Sequence, residues 1–327
     1  MSVKGKTLLH YVPHGINENV FKPLPENDKA LSDGKKRFYN GKTYDYAVFF
    51  NSRNTKRKQV SNLILAFKLF CDSLPKAKSE RCCLILHTEI IGQHGHGTDL
   101  LAVKEAICRD YAVYFSQKKI TPDEMNLMYN LADVTISISS NEGFGLSIAE
   151  SIMAGTPVIA NVTGGLQDQI GQLDDEGKPV EFTREFGSNN CGRYKTHGVW
   201  AKPVWPSAID MHGSVETPYI FDDMLHTSDV ADALMYWYLA GSEKREKCGA
   251  EGRRWALNEG GLNARNMCDQ LIKAMDVTIE NFVPVSSFSI HNTDEYVNQV
   301  QPENQIGVPF RPVDINKIQE EVNKKLV

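Results

Sequence analysis

Several absences narrow the field before any motif is read. The 327-residue chain has no apolar run as long as a membrane span. Its start, Met1-Ser2-Val3-Lys4-Gly5-Lys6, lacks the apolar core of a secretory signal. Positive charge is not in excess: 36 lysines and arginines face 41 acidic residues, for a net charge of -5. That balance argues against nucleic acid as the main partner. The seven cysteines (Cys71, Cys82, Cys83, Cys108, Cys191, Cys248 and Cys268) are odd in number and form no CxxC. We therefore expect reduced thiols and a cytoplasmic protein. No GxGxxG follows the first predicted strand, which removes a Rossmann-type dehydrogenase. No histidine pair at i, i+4 falls on a predicted helix, and no cysteine sits at zinc spacing. The cluster His87, His94 and His96 therefore reads as a polar loop and no metal site is expected. What remains is an ordinary globular composition, 41% hydrophobic and 24% charged, long enough for one large or two medium domains.

The stretch Asn141-Glu142-Gly143-Phe144-Gly145-Leu146-Ser147-Ile148-Ala149-Glu150 organises the rest. It follows Val134-Thr135-Ile136-Ser137-Ile138, an apolar run that predicts a buried strand. It runs into a predicted helix over 147–154, stopped by Gly155 and Pro157, and then a short strand, Pro157-Val158-Ile159-Ala160. Strand, glycine-bearing turn, helix and strand make a βαβ unit, the building block of parallel sheets. Such sheets bind ligands at the carboxyl ends of their strands, where Glu142 lies. Gly143 and Gly145 admit close approach of backbone to a bound group. Glu150 falls about two helical turns further on, and a carboxylate suits the diol of a ribose or sugar. The alternative is an acidic helix start with Glu150 in solvent.

Other segments repeat the βα pattern. Thr7-Leu8-Leu9-His10-Tyr11-Val12 predicts an entry strand, followed by the turn Pro13-His14-Gly15-Ile16-Asn17 and a polar loop over 22–43. Tyr46-Ala47-Val48-Phe49-Phe50 predicts a strand, and Leu63, Ile64, Phe67 and Phe70 mark the amphipathic helix after it. Between them lie Arg53, Lys56, Arg57 and Lys58, at a strand end and helix start where anions bind. A solvated basic turn is the alternative. Cys82-Cys83-Leu84-Ile85-Leu86 predicts a strand ending at His87 and Thr88. Ala112-Val113-Tyr114-Phe115 predicts another, followed by Ser116 and Gln117. Thr121-Pro122-Asp123-Glu124 reads as a capped helix start. Asp168, after Thr163-Gly164-Gly165, reads as a helix-start charge. Residues 172–226 predict an irregular elaboration in which Trp200 and Trp205 pack. Helices are expected over 228–239, through 253–256 and over 266–275. A polar tail follows from 286, with a short amphipathic helix over 315–326.

Assembled, these motifs resemble the donor-binding second domain of retaining glycosyltransferases with the GT-B fold, the large group of sucrose synthases, glycogen synthases and bacterial mannosyl- and glucosyltransferases. Four features carry the resemblance: Val12-Pro13-His14-Gly15-Ile16-Asn17 with Phe21 and Pro23 as a hinge; Arg53 with Lys58; Glu142-Gly143-Phe144-Gly145-Leu146 through Glu150; and Thr156-Pro157-Val158-Ile159-Ala160 with Thr163-Gly164-Gly165. The resemblance covers roughly residues 8–275. It implies an α/β fold, a Rossmann-like parallel sheet with helices on both faces, plus an extended tail. Its domains would be an entry strand and hinge at 1–24, a nucleotide-sugar-binding domain at 25–285 with an insertion at 172–226, and a tail at 286–327.

The resemblance also implies roles. Arg53 and Lys58 would neutralise a leaving nucleoside diphosphate. Glu142 would contact the donor sugar, near the amides of Phe144, Gly145 and Leu146. Glu150 would hold the ribose. His87, Thr88, Phe115, Ser116 and Gln117 would line the base, and Gly15 and Gly143 would border the donor. A nucleotide-diphosphate sugar is the implied donor and no cofactor is implied, since the two cations stand in for a metal.

One departure matters. The hinge-like motif begins near residue 11, so the family's acceptor-binding first domain has no counterpart, and neither has a histidine that domain supplies. A fragment of a longer chain, a split enzyme with a partner chain or a homo-oligomer, and a non-catalytic nucleotide-sugar-binding or assembly module all fit.

Overall fold

The computed structural model describes residues 11–39, 41–92, 97–180, 187–213 and 215–282. In chain order the elements are α1 (Lys29–Phe38), β1 (Tyr46–Asn51), α2 (Val60–Asp72), α3 (Lys76–Ser79), β2 (Cys82–His87), α4 (Leu100–Ile107), β3 (Ala112–Ser116), α5 (Pro122–Leu131), β4 (Val134–Ser137), α6 (Leu146–Met153), β5 (Val158–Asn161), β6 (Ala201–Val204), β7 (Ala208–His212), β8 (Ile220–Met224), α7 (Thr227–Leu257) and α8 (Ala264–Glu280).

Strands β1 to β6 form one parallel sheet in the order β3-β2-β1-β4-β5-β6. This is a doubly wound arrangement. The chain leaves β1 outward on one side through β2 and β3, then crosses back to β4 on the other, so a crevice opens between the carboxyl ends of β1 and β4. β7 and β8 make a separate antiparallel hairpin.

Both faces of the sheet are covered, which is why its strands read as continuous apolar runs. Tyr46, Val48 and Phe50 of β1 join Leu63, Ile64, Phe67 and Phe70 of α2 and Leu234 and Trp237 of α7 in one cluster. The alternate residues Ala47 and Phe49 pack on the other face with Met128, Tyr129 and Leu131 of α5. Phe67 and Phe70 are fully buried, and burial of each contributes about 1.5–3 kcal/mol. A third cluster joins Ile148, Ile152 and Met153 of α6 to Val158 and Ala160 of β5, with Trp200, Ala256 and Leu262. Thr121 caps the start of α5 as expected, and Glu124 returns the bond to the Thr121 backbone, making the cap reciprocal.

The structure corrects four expectations. The polar stretch 22–43 holds α1, capped by Asp28. Its Gly34 is buried, and a Cβ there would stand 2.9 Å from Cδ1 of Leu131, so this glycine marks a close helix–helix crossing. The entry strand falls mostly outside the described residues, and Tyr11 and Val12 are not in a strand. The 172–226 region adds β6 to the main sheet at its edge, where Pro203 removes a donor without breaking the ladder. The helices expected over 228–239 and through 253–256 are two parts of α7, divided at Gly241 with φ 78° and ψ 163°. Trp200 packs as expected, stacked on Trp255 at 4.7 Å. Five of the cysteines are buried free thiols, and Cys268 is an exposed one. His94, His96 and the tail from 286 lie outside the described residues. Among the described residues no cluster of metal-binding side chains occurs, and no helix is long and apolar enough to cross a membrane.

Candidate functional site

Two adjoining cavities open over the crevice, and Asn51 and Ser52, at the carboxyl end of β1, line both. The first, about 460 Å³, is lined by His14, Asn51, Ser52, Lys58, Glu142, Phe144, Gly145, Leu146, Ser147 and Glu150. The second, about 410 Å³, is lined by Arg53, His87, Thr88, Glu89, Ser116, Gln117, Lys118 and Lys119 beyond the shared pair. Each volume suits a small polar ligand.

The first cavity is built from three turns. Glycine at 145 is required by geometry: it caps α6 with φ 94°, a left-handed conformation, and a Cβ there would strike Leu166. Helix α6 then presents its first amides to the cavity through Leu146 and Ser147. The turn is held by the loop after β5. Gly165 donates its amide to the carbonyl of Glu142 at 2.9 Å, and a Cβ on Gly165 would stand 2.5 Å from Cα of Phe144. Gln169 Nε2 donates to the carbonyl of Phe144 at 2.5 Å. The two glycine-bearing loops of the sequence are thus one assembly, backbone packed on backbone.

Lys58 ion-pairs with Glu142, and each side chain is only 12% exposed. Arg57 adds a second contact to Glu142 at 3.3 Å and donates to the carbonyl of Asn141 at 2.9 Å. Burial pushes the Glu142 carboxyl up, but Lys58 and Arg57 outweigh it and hold the group below the usual glutamate value. Burial pulls the Lys58 ammonium down, and Glu142 opposes the shift. A second anion entering this cavity would therefore strengthen Lys58's charged form. Glu150, two turns along, is different. Burial pushes its carboxyl up, and its counter-influence is a hydrogen bond from the Tyr129 hydroxyl at 2.7 Å.

The second cavity holds its charges more loosely. Arg53 is exposed, and among the described residues it forms no ion pair. His87 Nδ1 meets Ser116 Oγ at 3.0 Å, and burial keeps its imidazole below the usual value. Glu89 accepts the Asn54 amide at 3.0 Å, which holds its carboxyl low. Thr88 is buried, and among the described residues its hydroxyl has no protein partner.

The hairpin supports the first cavity from behind. Asp223 of β8, 1% exposed, accepts from Thr163 Oγ1 at 2.6 Å and Asn189 Nδ2 at 2.7 Å, and its amide donates to Ser140 at 2.8 Å. Asn161 Nδ2 bridges the carbonyls of Ser139 and Asp223 at 2.8 and 2.9 Å. Asn141 bonds Asp222. From the other side, Arg57's carbonyl takes the Ser140 amide at 2.7 Å.

Lys58, Glu142 and Glu150 therefore meet, while Arg53 stands across the shared wall. Three expected residues do not line either cavity. Gly15 packs on α8 instead, where a Cβ would stand 2.5 Å from Cα of Ala264, and its amide faces Met267. Phe115, half-buried, packs against the core cluster that holds β1, β2 and α2 because its strand alternates. Gly143 has open space where a Cβ would project, and its carbonyl lies against Gly165. Asp168 begins no α-helix: it sits in a 3₁₀ turn and accepts the Tyr11 hydroxyl at 2.6 Å, with burial pushing its carboxyl up to about 6. Sequence reasoning passed over His14, Asn51, Ser52, Ser147, Glu89, Lys118 and Lys119. His14, edge-on to Phe144 at 4.9 Å, carried a usable signal in its place within the hinge motif. Ser147 lies inside the 142–150 stretch without having been singled out, and the others adjoin signalled positions but match no motif.

The chain is 39% identical over 72 residues to a D-inositol 3-phosphate glycosyltransferase of Salinispora tropica, covering 20% of this chain and 15% of that protein. It is 25% identical over 191 residues to a mannosylfructose-phosphate synthase of Agrobacterium fabrum, covering 56% and 38%. Among solved structures, Anabaena HepE in complex with UDP-glucose superposes with a TM-score of 0.57 at 16% identity, over 81% of this chain and 57% of that one. The chain thus spans well under two thirds of these relatives, and the structural likeness is one of fold. Residues 32–177, which hold β1 to β5 and with them Arg53, Lys58, Glu142 and Glu150, match the model of the family glycosyl transferases group 1.

Proposed function

We propose that this chain is the donor-binding half of a retaining glycosyltransferase that takes a nucleotide-diphosphate sugar. One observation carries the reading: Lys58, Glu142 and Glu150 line one cavity, and Arg53 lines a second that shares Asn51 and Ser52 with it. A donor lying across the shared wall places its base in the second cavity, near Thr88, Ser116 and Gln117. Its diphosphate then sits between Arg53, Lys58 and the first amides of α6. Its ribose meets Glu150, and its sugar meets Glu142. The cations act where negative charge grows as the sugar departs, which lowers the barrier to transfer. Glu142 has a second task before the donor arrives. It keeps Lys58 charged and fixed, so the ammonium need not reorganise when the diphosphate enters. The acceptor is supplied from outside residues 11–282, by a further domain or a partner chain.

Calorimetric titration with UDP, GDP and ADP, and then with their sugars, tests this. Binding of one nucleotide series, lost on Arg53→Ala or Lys58→Ala, is the expected result. Silence toward all three series removes the reading.

A further inference from the structure

The ribose-facing carboxylate is reached by a hydrogen-bond relay outside the signature. Tyr129 of α5 is fully buried. Its hydroxyl donates to Glu150 Oε2 at 2.7 Å and accepts from Asn51 Nδ2 at 3.0 Å. The Asn51 amide nitrogen also faces the Met125 sulfur at 3.3 Å, an acceptor, so the amide presents its donor side to Tyr129. A phenol has one hydrogen. With Asn51 donating to the oxygen, that hydrogen is committed to Glu150. The ring cannot swing aside: Phe49 and Phe21 stand edge-on to it at 5.3 and 6.1 Å. The main chain is pinned as well, since Thr156 Oγ1 donates to the Tyr129 carbonyl at 2.8 Å. Asn51, the source of the relay, sits on the wall that both cavities share.

We propose that Tyr129, set by Asn51, is a positioning residue that holds Glu150 as a fixed acceptor of two hydroxyls and so selects ribonucleotides over nucleotides lacking that diol. The inference rests on the reading of Glu150 as the ribose contact. A carboxylate offers about four acceptor sites. Tyr129 takes one on Oε2, on the buried side, and the rest remain for a diol. Without the phenol the buried carboxylate would lose the group that opposes its protonation, and a protonated carboxyl is a poorer acceptor. The titratable groups facing Glu150 are Tyr129 from α5 and, across the cavity, Lys58, Glu142 and His14.

The test compares wild type, Tyr129→Phe and Asn51→Ala in two measurements. The first is carbon-13 NMR titration of the Glu150 carboxyl without nucleotide. The second is calorimetry with UDP and 2′,3′-dideoxy-UDP, or the same pair on whichever base binds. Tyr129→Phe keeps the ring and its packing, and Asn51→Ala disturbs the same hydroxyl from the far side. We expect the Glu150 midpoint to rise in both variants. Affinity for the ribonucleotide should fall roughly tenfold in Tyr129→Phe, as for loss of one hydrogen bond to a charged group, with the dideoxynucleotide unaffected. An unmoved midpoint, or a fall shared equally by both nucleotides, overturns the proposal. A moved midpoint in a protein that binds no nucleotide overturns the donor reading and, with it, the selectivity assigned here.

Discussion

The two cavities share a wall but hold charge in opposite ways. In one, Lys58 and Glu142 are buried against each other and Glu150 is tied to Tyr129. In the other, Arg53 is exposed beside Lys118 and Lys119, and the Thr88 hydroxyl has no partner among the described residues. The first is organised before any ligand arrives, so its residues serve both fold and chemistry. The second fixes His87 on Ser116 and Glu89 on the Asn54 amide but leaves its Arg53 cation exposed. A residue in the first should therefore cost stability and binding together, and one in the second binding alone.

The sharpest break would come at Lys58. Lys58→Ala leaves Glu142 with Arg57 and the Ser139 hydroxyl, and loss of a partner in a mostly buried pair costs about 3 kcal/mol. Urea denaturation should show that loss, alongside the loss of nucleotide binding. A smaller effect should appear in the pH dependence of stability. Glu142's folded value lies below its ordinary one, so its contribution is present above about 4.5 and lost as pH falls through the folded value. Glu150's value is raised, so its contribution is present below about 4.5 and lost as pH rises through the folded value. Glu142→Gln should flatten the acid limb, and Glu150→Gln the fall above it, in thermal melts across pH 3–8. Smallest is Arg53→Ala, which should shift stability by less than about 0.5 kcal/mol while abolishing diphosphate affinity. A large stability loss there would erase the contrast.

Much of this was written in the sequence. β1, β2 and α2 announce themselves because they are buried on both sides or along one clear stripe. Lys58, Glu142 and Glu150 were legible because tight turns fix the spacing of residues around a strand end. Other parts were hidden for physical reasons. Gly34 looks like a loop marker but is where α1 comes close to α5. Pro203 argues against a strand, yet an edge strand tolerates it. Tyr129 looks like a core aromatic, and its ring is one. Only its hydroxyl, aimed at a residue 21 positions away, adds a role. Gly15 misled in the opposite sense, since its closeness is to α8 rather than to a ligand.

The motif and the support beneath it do not end at the same residue. The signature of the first cavity ends at Gly165, but the carboxylate steadying Thr163, and the carbonyl that takes Asn161's amide, belong to Asp223. The strand that closes the far edge of β5 also comes late, at Ala201–Val204. A piece trimmed to the signature alone would keep every recognisable letter. It would leave Thr163 and Asn161 without those partners and bare the backbone of β5. The smallest portion able to aim Glu142 is longer than the portion that spells it.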